Sequence, residues 1–407
     1  MKYLVDRVNV GIVITPAAWY VPEGGVPALR GLNIEAGRIK RDDLVRISHE
    51  GDVANEKSRL HSGDIVVVRT GQAGAAAVVP PDLDGTNCID LVIIRPGEWI
   101  DPRYLAYVLN SEWARRKIEQ NSVGSIQSHF NVSAMKNLLV PSTGLEEQRR
   151  IADFLDAETA RIDRLIQLRE QMSSLLRQRE RGLLDAEIDA LAARYGYLPF
   201  RRSIRRIEQG TSPQCDNTPA EDGEWGVLKV SAVKRGRFLS DQNKRLPDEL
   251  KPQPHYEVRD GDLLITRANT PALVGAAAVA NRPRRRLMLS DKIFRVSVDP
   301  RMRKDYVALV AQGTQIRDLC AEASHGTSHS MANLKTDEIK QWPIPMAPLS
   351  EQEAFVRRFD DISGVGENLV GFINTQLRLL EERRRAVVTA AVTGELDVTT
   401  ARGVSSM

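Results

Sequence analysis

Apolar positions between residues 145 and 193 recur every seven residues, at Leu155, Ile162, Leu176 and Leu183, with Arg169 breaking the row. A second row lies three further on, at Glu158, Leu165, Met172, Arg179 and Ala186. Two rows at three–four spacing put one seam on a long helix, and such a seam needs a partner helix. From Leu145 to Ala193 the helix spans roughly 70 Å at ~1.5 Å per residue, longer than one globular core requires. Thr143 and Glu146 have the spacing of a capping box at its start. Tyr195-Gly196-Tyr197-Leu198-Pro199 closes it.

The partner lies in the same chain. Glu147-Gln148 recurs 204 residues later as Glu351-Gln352, and the same shift carries Leu155 to Phe359, Leu165 to Leu369, Leu176 to Leu380 and Leu183 to Val387. Ile362 and Ile373 complete the second seam. Ser350 and Glu353 give this helix the spacing of its own capping box. Gly364 and Gly366 weaken its early turns by about 1 kcal/mol each, so a kink or break is expected there. Gly394 is a natural stop.

Outside the helices the period falls to two. Short β-rich runs at 10–15, 65–69, 75–79 and 91–94 are punctuated by Gly, Pro and Asp. A helix is expected from about Pro102 to Asn121, with Tyr104, Tyr107, Val108 and Trp113 on its apolar side. A polar loop, Gly124 to His129, follows. The second half repeats this order. VPALRGLNIEAGRI at 26–39 matches WGVLKVSAVKRGRF at 225–238, a shift of 199. Gly63-Asp64-Ile65-Val66 matches Gly261-Asp262-Leu263-Leu264 at 198, and the glycine-alanine run at 74–78 matches 275–279 at 201. The second copy therefore carries three extra residues between those blocks. Leu105 to Leu109 matches Val307 to Ala311, and Gly124 matches Gly326, both at 202.

Ordered matches of this kind mean a tandem duplication, with a period far too long for a solenoid. The expected fold class is α+β. Two similar mixed α/β globular domains, at 1–140 and 198–344, are separated by long helical regions at 141–197 and 345–394, with a tail at 395–407. The helices pair most simply as an antiparallel coiled coil. A pseudo-twofold repeat with the domains at opposite ends of a rod suits a ligand with spaced, opposed half-sites, such as duplex DNA.

Composition adds limits. With 407 residues, 27% charged and 42% apolar, the chain has the balance of a soluble globular protein. A net charge of +3 is too small to announce a nucleic-acid partner, so a DNA reading depends on where charge lies. Cys88, Cys215 and Cys320 lack metal or redox spacing and fit burial in a reducing compartment. No secretory signal is evident, and no segment approaches the ~20 apolar residues of a membrane span. A cytoplasmic location is expected.

Catalytic chemistry is hard to nominate. No Asn- or Asp-Pro-Pro-aromatic motif for amino methylation is present. Gly71-Gln-Ala-Gly74 is too sparse for a nucleotide loop and reads as a strand-linking turn. Pro247-Asp248-Glu249-Leu250-Lys251 packs nuclease-like letters into five residues, leaving no separated metal carboxylates. His325 and His329 flank a loop sequence without a third ligand. No catalytic, cofactor-binding or metal-binding residue is assigned.

Basic clusters are more informative, because lysine and arginine supply most phosphate contact. The candidate DNA-binding residues are Arg38, Lys40 and Arg41; Lys234, Arg235 and Arg237; and Arg284, Arg285 and Arg286. Arg69 and Arg267 follow the two Gly-Asp strands, with Asn269 beyond the second. The polar loops add Gln127, Ser128 and His129 in the first half and His325, Ser328 and His329 in the second. Arginine, Asn, Gln, Ser and His in loops can reach base edges.

The order of these blocks resembles the specificity subunit of Type I restriction-modification systems, across essentially the whole chain. The motifs that carry the resemblance are Gly63-Asp64-Ile65-Val66 through Gly71 with Gly74, Glu146-Glu147-Gln148-Arg149-Arg150-Ile151, Phe154-Leu155-Asp156 and Ala390-Ala391-Val392-Thr393-Gly394. The resemblance implies two target-recognition domains, each reading half of a bipartite site in double-stranded DNA. It implies helices that set the spacing and dock two methyltransferase subunits, with restriction-translocase subunits joining them and no membrane. S-adenosylmethionine and the catalytic residues would belong to the methyltransferase, so the chain itself is expected to be no enzyme. The alternatives are a stand-alone or fused DNA modification enzyme and a coiled-coil scaffold that does not bind DNA. Departures from the pattern are Ser350-Glu351-Gln352 in the second copy, the two helix glycines, and an abrupt N-terminal opening.

Overall fold

The computed structural model describes residues 1–70, 74–120, 132–141, 143–323 and 332–399. The chain forms two compact units. The first is Met1–Glu170 with Ile373–Met407, and the second is Gln171–Phe372. Each long helix, Leu145–Tyr195 and Leu349–Thr393, thus gives one half to each unit.

In the first unit a four-stranded antiparallel sheet has the order Val5–Val10, Leu91–Pro96, Ile65–Val68, Ala76–Val78. The second unit repeats it as Ile204–Gln209, Ile293–Val298, Leu263–Thr266, Ala277–Val279. Even the irregularity recurs, with a register shift between Val5 and Arg7 and another between Ile204 and Arg206. The run Ile65-Val66-Val67-Val68 shows no polar alternation because both faces are covered. Ile65 and Val67 join Tyr104, Leu105, Val108 and Leu155 on the helical side. Val66 and Val68 join Leu29, Ile34, Leu60 and Cys88 on the other. Leu263 and Ile265 likewise meet Tyr306, Val307 and Phe355, while Leu264 meets Leu228, Val233 and Leu287.

The second layer is a three-stranded sheet in each unit. Val45–Ile47 pairs antiparallel with Val26–Leu29, which pairs parallel with Asn87–Cys88. The counterpart is Asn243–Arg245, Gly226–Leu228 and Leu287–Met288. A two-residue hairpin accompanies each, Ile34–Glu35 with Arg38–Ile39 and Val233–Lys234 with Arg237–Phe238. Gly37 and Gly236 supply the positive φ, +81° and +72°, that these tight turns require. Cys88 and Cys320 are buried, and Cys215 is half-buried.

Three local expectations change. The first strand is Val5–Val10 rather than 10–15. A Cβ on Gly11 would lie 2.5 Å from the Cys88 carbonyl oxygen, and Pro16 opens a short 3-10 turn, so the run beyond Val10 leaves the sheet. The helix expected over 102–121 is two helices, Pro102–Asn110 and Glu112–Gln120. Ser111 separates them with an extended backbone, and its Oγ accepts from Ala114 N at 3.2 Å, capping the second. The long helices begin at Leu145 and Leu349, so Gly144 rather than Thr143 precedes the first, and Ser350 lies inside the second.

Gln148 and Gln352 anchor these beginnings. Both are buried. Gln148 Oε1 accepts from Asp101 N, while its Nε2 donates to the carbonyls of Trp99 and Thr143. Gln352 Oε1 accepts from Arg303 N, and its Nε2 donates to Arg301 and Ala347. Tyr104 and Tyr306 add hydroxyl bonds to the Pro141 and Pro345 carbonyls. The repeated glutamine therefore ties the start of each long helix to the entry of the short helix before it.

The long helices pair antiparallel. In the first unit Asp163 accepts from Arg384 at 2.8 Å, while Ile151 and Leu155 share a core with Val388, Ala391 and Val392. In the second, Arg358 reaches Glu187 at 2.9 Å and Arg194 reaches Glu351 at 3.5 Å. One expected row holds: Leu155, Ile162, Phe359 and Ile373 are buried, and Leu176, Leu380 and Val387 half-buried. That row ends at Leu183, which is exposed; the other row does not hold, since Leu165, Met172, Ile362 and Leu369 are exposed. The second row lies four residues on instead of three, at Thr159, Ile166 and Ser173, and in the partner at Ser363, Val370 and Leu377. Small residues let the backbones approach there. Thr159 satisfies its hydroxyl on the Leu155 carbonyl at 2.6 Å. Gly366 belongs to this seam: a Cβ there would sit 3.6 Å from Glu180 Oε2, and the helix runs through Gly364 and Gly366 as one element.

This register has a measurable consequence. Ile162→Ala is expected to cost about 2–5 kcal/mol, as for other buried apolar truncations. Leu165→Ala should stay within roughly 0.5 kcal/mol, as surface changes do. Urea unfolding of both variants decides between the rows, and equal losses would return Leu165 to the seam.

Candidate nucleic-acid interface

The Gly-Asp turns show how the fold positions its arginines. Gly63 and Gly261 take φ of +88° and +78°, turning the chain into the central strand. Asp64 accepts from His61 N and takes both forks of Arg95, each at 2.9 Å. Asp262 accepts from Arg259 N and from Arg295 at 3.3 Å. The aspartates serve the turn and the neighbouring strand, which accounts for their recurrence without any chemistry.

At the other end of each central strand stands a candidate arginine. Arg69 donates to Asp90 Oδ1 at 2.7 Å, and Arg267 donates to the Asp291 carbonyl at 3.4 Å. The two sites are the same place in the repeat. Asn269 lies on the strand Ala268–Asn269, which pairs with Ala332–Asn333, and its Oδ1 accepts from Thr270 N.

Around the hairpins, Arg38 and Lys40 both face Glu35, and Arg41 holds Asp82 with two nitrogens at 2.9 and 2.7 Å. Arg237 meets Glu367 at 3.3 Å. Arg284 donates to the carbonyls of Glu221 and Glu224, and Arg286 to that of Gly223, so these two clamp one turn. Arg235 donates to the Ala272 carbonyl at 2.7 Å. Among the described residues, Lys234 and Arg285 are exposed and make no ion pair with a carboxylate. Gln127, Ser128, His129, His325, Ser328 and His329 lie outside the described residues, as does Gly71-Gln-Ala ahead of Gly74.

Burial lowers the pKa of the Arg235 guanidinium, and Arg317 and Arg181 push it the same way. Neither of those neighbours was singled out from the sequence. Arg317 is the single basic residue of Thr314–Glu322, and Arg181 ends the run Arg177-Gln178-Arg179-Glu180-Arg181 in the long helix, where alternation with polar and acidic residues reads as a solvated face. Among the described residues, no group of three or more His, Cys, Asp or Glu could hold a metal ion. No described helix is long and apolar enough to cross a membrane.

The architecture is a duplicated α+β unit with arginines at strand ends and hairpins, and two long helices that pair antiparallel. The family model described as Type I restriction modification DNA specificity domain matches residues 33–172. The chain is 30% identical over 184 residues to the Type I restriction enzyme EcoEI specificity subunit of Escherichia coli. That match spans 44% of this chain and 31% of the relative. It is 22% identical over 400 residues to the EcoKI specificity subunit of Escherichia coli K12, covering 93% of this chain and 84% of that one. Its fold is similar, with a TM-score of 0.70 and 20% identity over 97% of both chains, to a solved chain described under complex assembly and conformational transition of the type I R-M system. The family model and the relatives that this chain matches are those of Type I restriction-modification specificity subunits.

Proposed function

We propose that this chain is the sequence-specific DNA-binding subunit of a Type I restriction-modification complex. Each unit reads one half of a bipartite target in double-stranded DNA. The observation that carries this reading is the repetition of one arginine-bearing site, Arg69 by Asp90 and Arg267 by Asp291, on the same sheet in two units. Two related sites in one chain fit a target of two parts, and direct readout by arginine supplies about 1–3 kcal/mol per good bidentate pair. Two methyltransferase subunits dock on the chain and restriction-translocase subunits join them. S-adenosylmethionine binds the methyltransferase, and this chain makes and breaks no bond itself. A DNA partner of this kind places the complex in the cytoplasm.

Selection from randomised duplexes, with the chain and its methyltransferase subunits present, tests the proposal. Two short conserved blocks separated by a fixed spacer are expected. Replacing Arg267 with alanine should relax the sequence of one block and leave the other unchanged. Recovery of no preferred sequence, or relaxation of both blocks together, would count against one half-site per unit. The purified chain given radiolabelled S-adenosylmethionine and duplex should transfer no methyl group. Turnover lost on mutation of a residue in this chain would make it an enzyme.

A further inference from the structure

Arg235 and Arg317 come together in the second unit, and the charge of Arg181 acts on both. Arg235 stands at the turn of the hairpin Val233–Lys234 and Arg237–Phe238, Arg317 in the helix Thr314–Glu322, and Arg181 in the long helix. Arg235 and Arg317 both donate to the same oxygen, the Ala272 carbonyl. Arg317 donates a second bond, at 2.7 Å, to the Val274 carbonyl. Among the described residues, the buried Nε atoms of Arg235 and Arg317 have no hydrogen-bond partner. Among the described residues, none of the three is in an ion pair with a carboxylate. Burial lowers the pKa of both Arg235 and Arg317, and Arg181 pushes each further down. The carboxylate that acts on Arg317 is Asp318, and its effect is smaller than that of Arg181.

Like charges held this close on protein carbonyls are unfavourable unless an anion offsets them. The fold nevertheless builds the arrangement. The loop that carries Ala272 is the place where the second copy has its three extra residues. In the first unit the position of Arg235 is taken by Ala36, and that of Arg181 by Arg385, which is neutralised by Glu112 at 3.7 Å. The position of Arg317 holds Arg115 in the first unit, so what the second unit adds to the repeat is Arg235 and the longer loop whose carbonyls hold it. Guanidinium groups are the side chains of choice for phosphate oxygens, to which they present paired N–H donors. Exposed Lys234, next in the hairpin, extends the positive surface.

We infer that Arg181, Arg235 and Arg317 form a seat for a backbone phosphate of duplex DNA, present in the second unit and absent from its counterpart in the first. The inference rests on the DNA-binding reading above and adds to it a sequence-independent anchor on one side of the protein. Phosphate contacts fix register and carry no base information. The second half of the complex should therefore hold DNA the more tightly when no cognate sequence is present.

The test is the salt dependence of binding to a random-sequence duplex oligonucleotide, measured by fluorescence anisotropy on the full chain with its methyltransferase subunits. Arg181→Gln is exposed and leaves the loop bonds intact; Arg235→Gln removes one of them, and Arg317→Lys keeps the charge with the fork gone. Loss of one phosphate contact lowers the slope of log K against log salt by about 0.9. Arg181→Gln and Arg235→Gln are each expected to show that decrease, with the same fold-loss on random and on selected duplexes, and Arg317→Lys to retain most of the slope. Unchanged slopes in both glutamine variants, while the wild-type complex binds duplex, would overturn the seat and leave the proposed function standing. A loss confined to duplexes with one particular half-site would mean base contact and overturn the phosphate assignment. Failure of the wild-type complex to bind any duplex would remove both readings.

Discussion

Arg295→Leu is expected to destabilise the second unit by about 3–5 kcal/mol, the usual cost of removing one partner from a buried ion pair. Arg295 is one strand away from the Gly-Asp turn, with its side chain 10% exposed. Its guanidinium bonds Glu208 at 3.0 Å, Asp262 at 3.3 Å and the carbonyls of Glu257 and His255 at 2.8 and 2.9 Å. Leucine fills much of the volume but leaves two largely buried carboxylates and two carbonyls without that donor. Arg206 still reaches Glu208 at 2.9 Å, which keeps the loss toward the lower end of the range. Arg295→Lys keeps charge but not the planar fork and should recover only part of it. Hydrogen exchange separates the units: protection should fall in Leu263–Thr266 and be unchanged in Ile65–Val68. Equal loss in both strands, or none in either, would mean that the arginine does not hold its own sheet together.

Gln352→Ala is expected to cost about 3 kcal/mol, and Gln148→Ala a similar amount in the first unit. Each truncation strands one backbone N–H and two carbonyls around a buried position, and a buried group left unsatisfied costs about 1–3 kcal/mol. The decisive variant is Gln352→Glu. A carboxylate can accept from Arg303 N but cannot donate to the Arg301 and Ala347 carbonyls, so it turns two bonds into repulsions. It should be no better tolerated than alanine, despite its near-identical shape. Urea unfolding measures both, and a glutamate variant as stable as wild type would show that the amide nitrogen is unimportant. Since these glutamines join the long helix to the short one before it, loss of either should also loosen the helix start, read as faster exchange over the first turn after Leu349 or Leu145.

Several features were written plainly in the sequence. A seven-residue row from Leu155 through Ile162 to Leu176 fixes a long helix, because no other structure brings those positions to one side. Repeated blocks in a constant order fix a duplicated fold, and the apolar run at 65–68 fixes a strand covered on both faces. Polar residues kept other things hidden. The choice between a second row three or four residues from the first turned on Thr159, Ser173 and Ser363, whose small size matters only once a second backbone is beside them. Periodicity scores Leu165 and Met172 as seam residues since it counts hydrophobicity and cannot count the distance between helices. The opening strand differs for the same kind of reason: Val10 to Thr15 is apolar enough for a strand, but at Gly11, close against Cys88, the chain leaves the antiparallel ladder, and only a single bridge from Ile12 to Ile89 follows.

The candidate interface divides along the same line. Arginines that follow a repeated motif, such as Arg69 and Arg267, could be named from the chain, since the motif carries them. Which of the basic side chains are already occupied could not be, because the partners are distant in sequence: Asp82 for Arg41, Glu367 for Arg237, the carbonyls of Glu221 and Glu224 for Arg284. The sequence by itself determined the duplication, the helix pair and the resemblance to Type I specificity subunits. Only the tertiary structure decided which charges remain unneutralised, as with Arg181, Arg235 and Arg317, because electrostatic energy depends on separation in space and burial, and neither is a property of letters in a row.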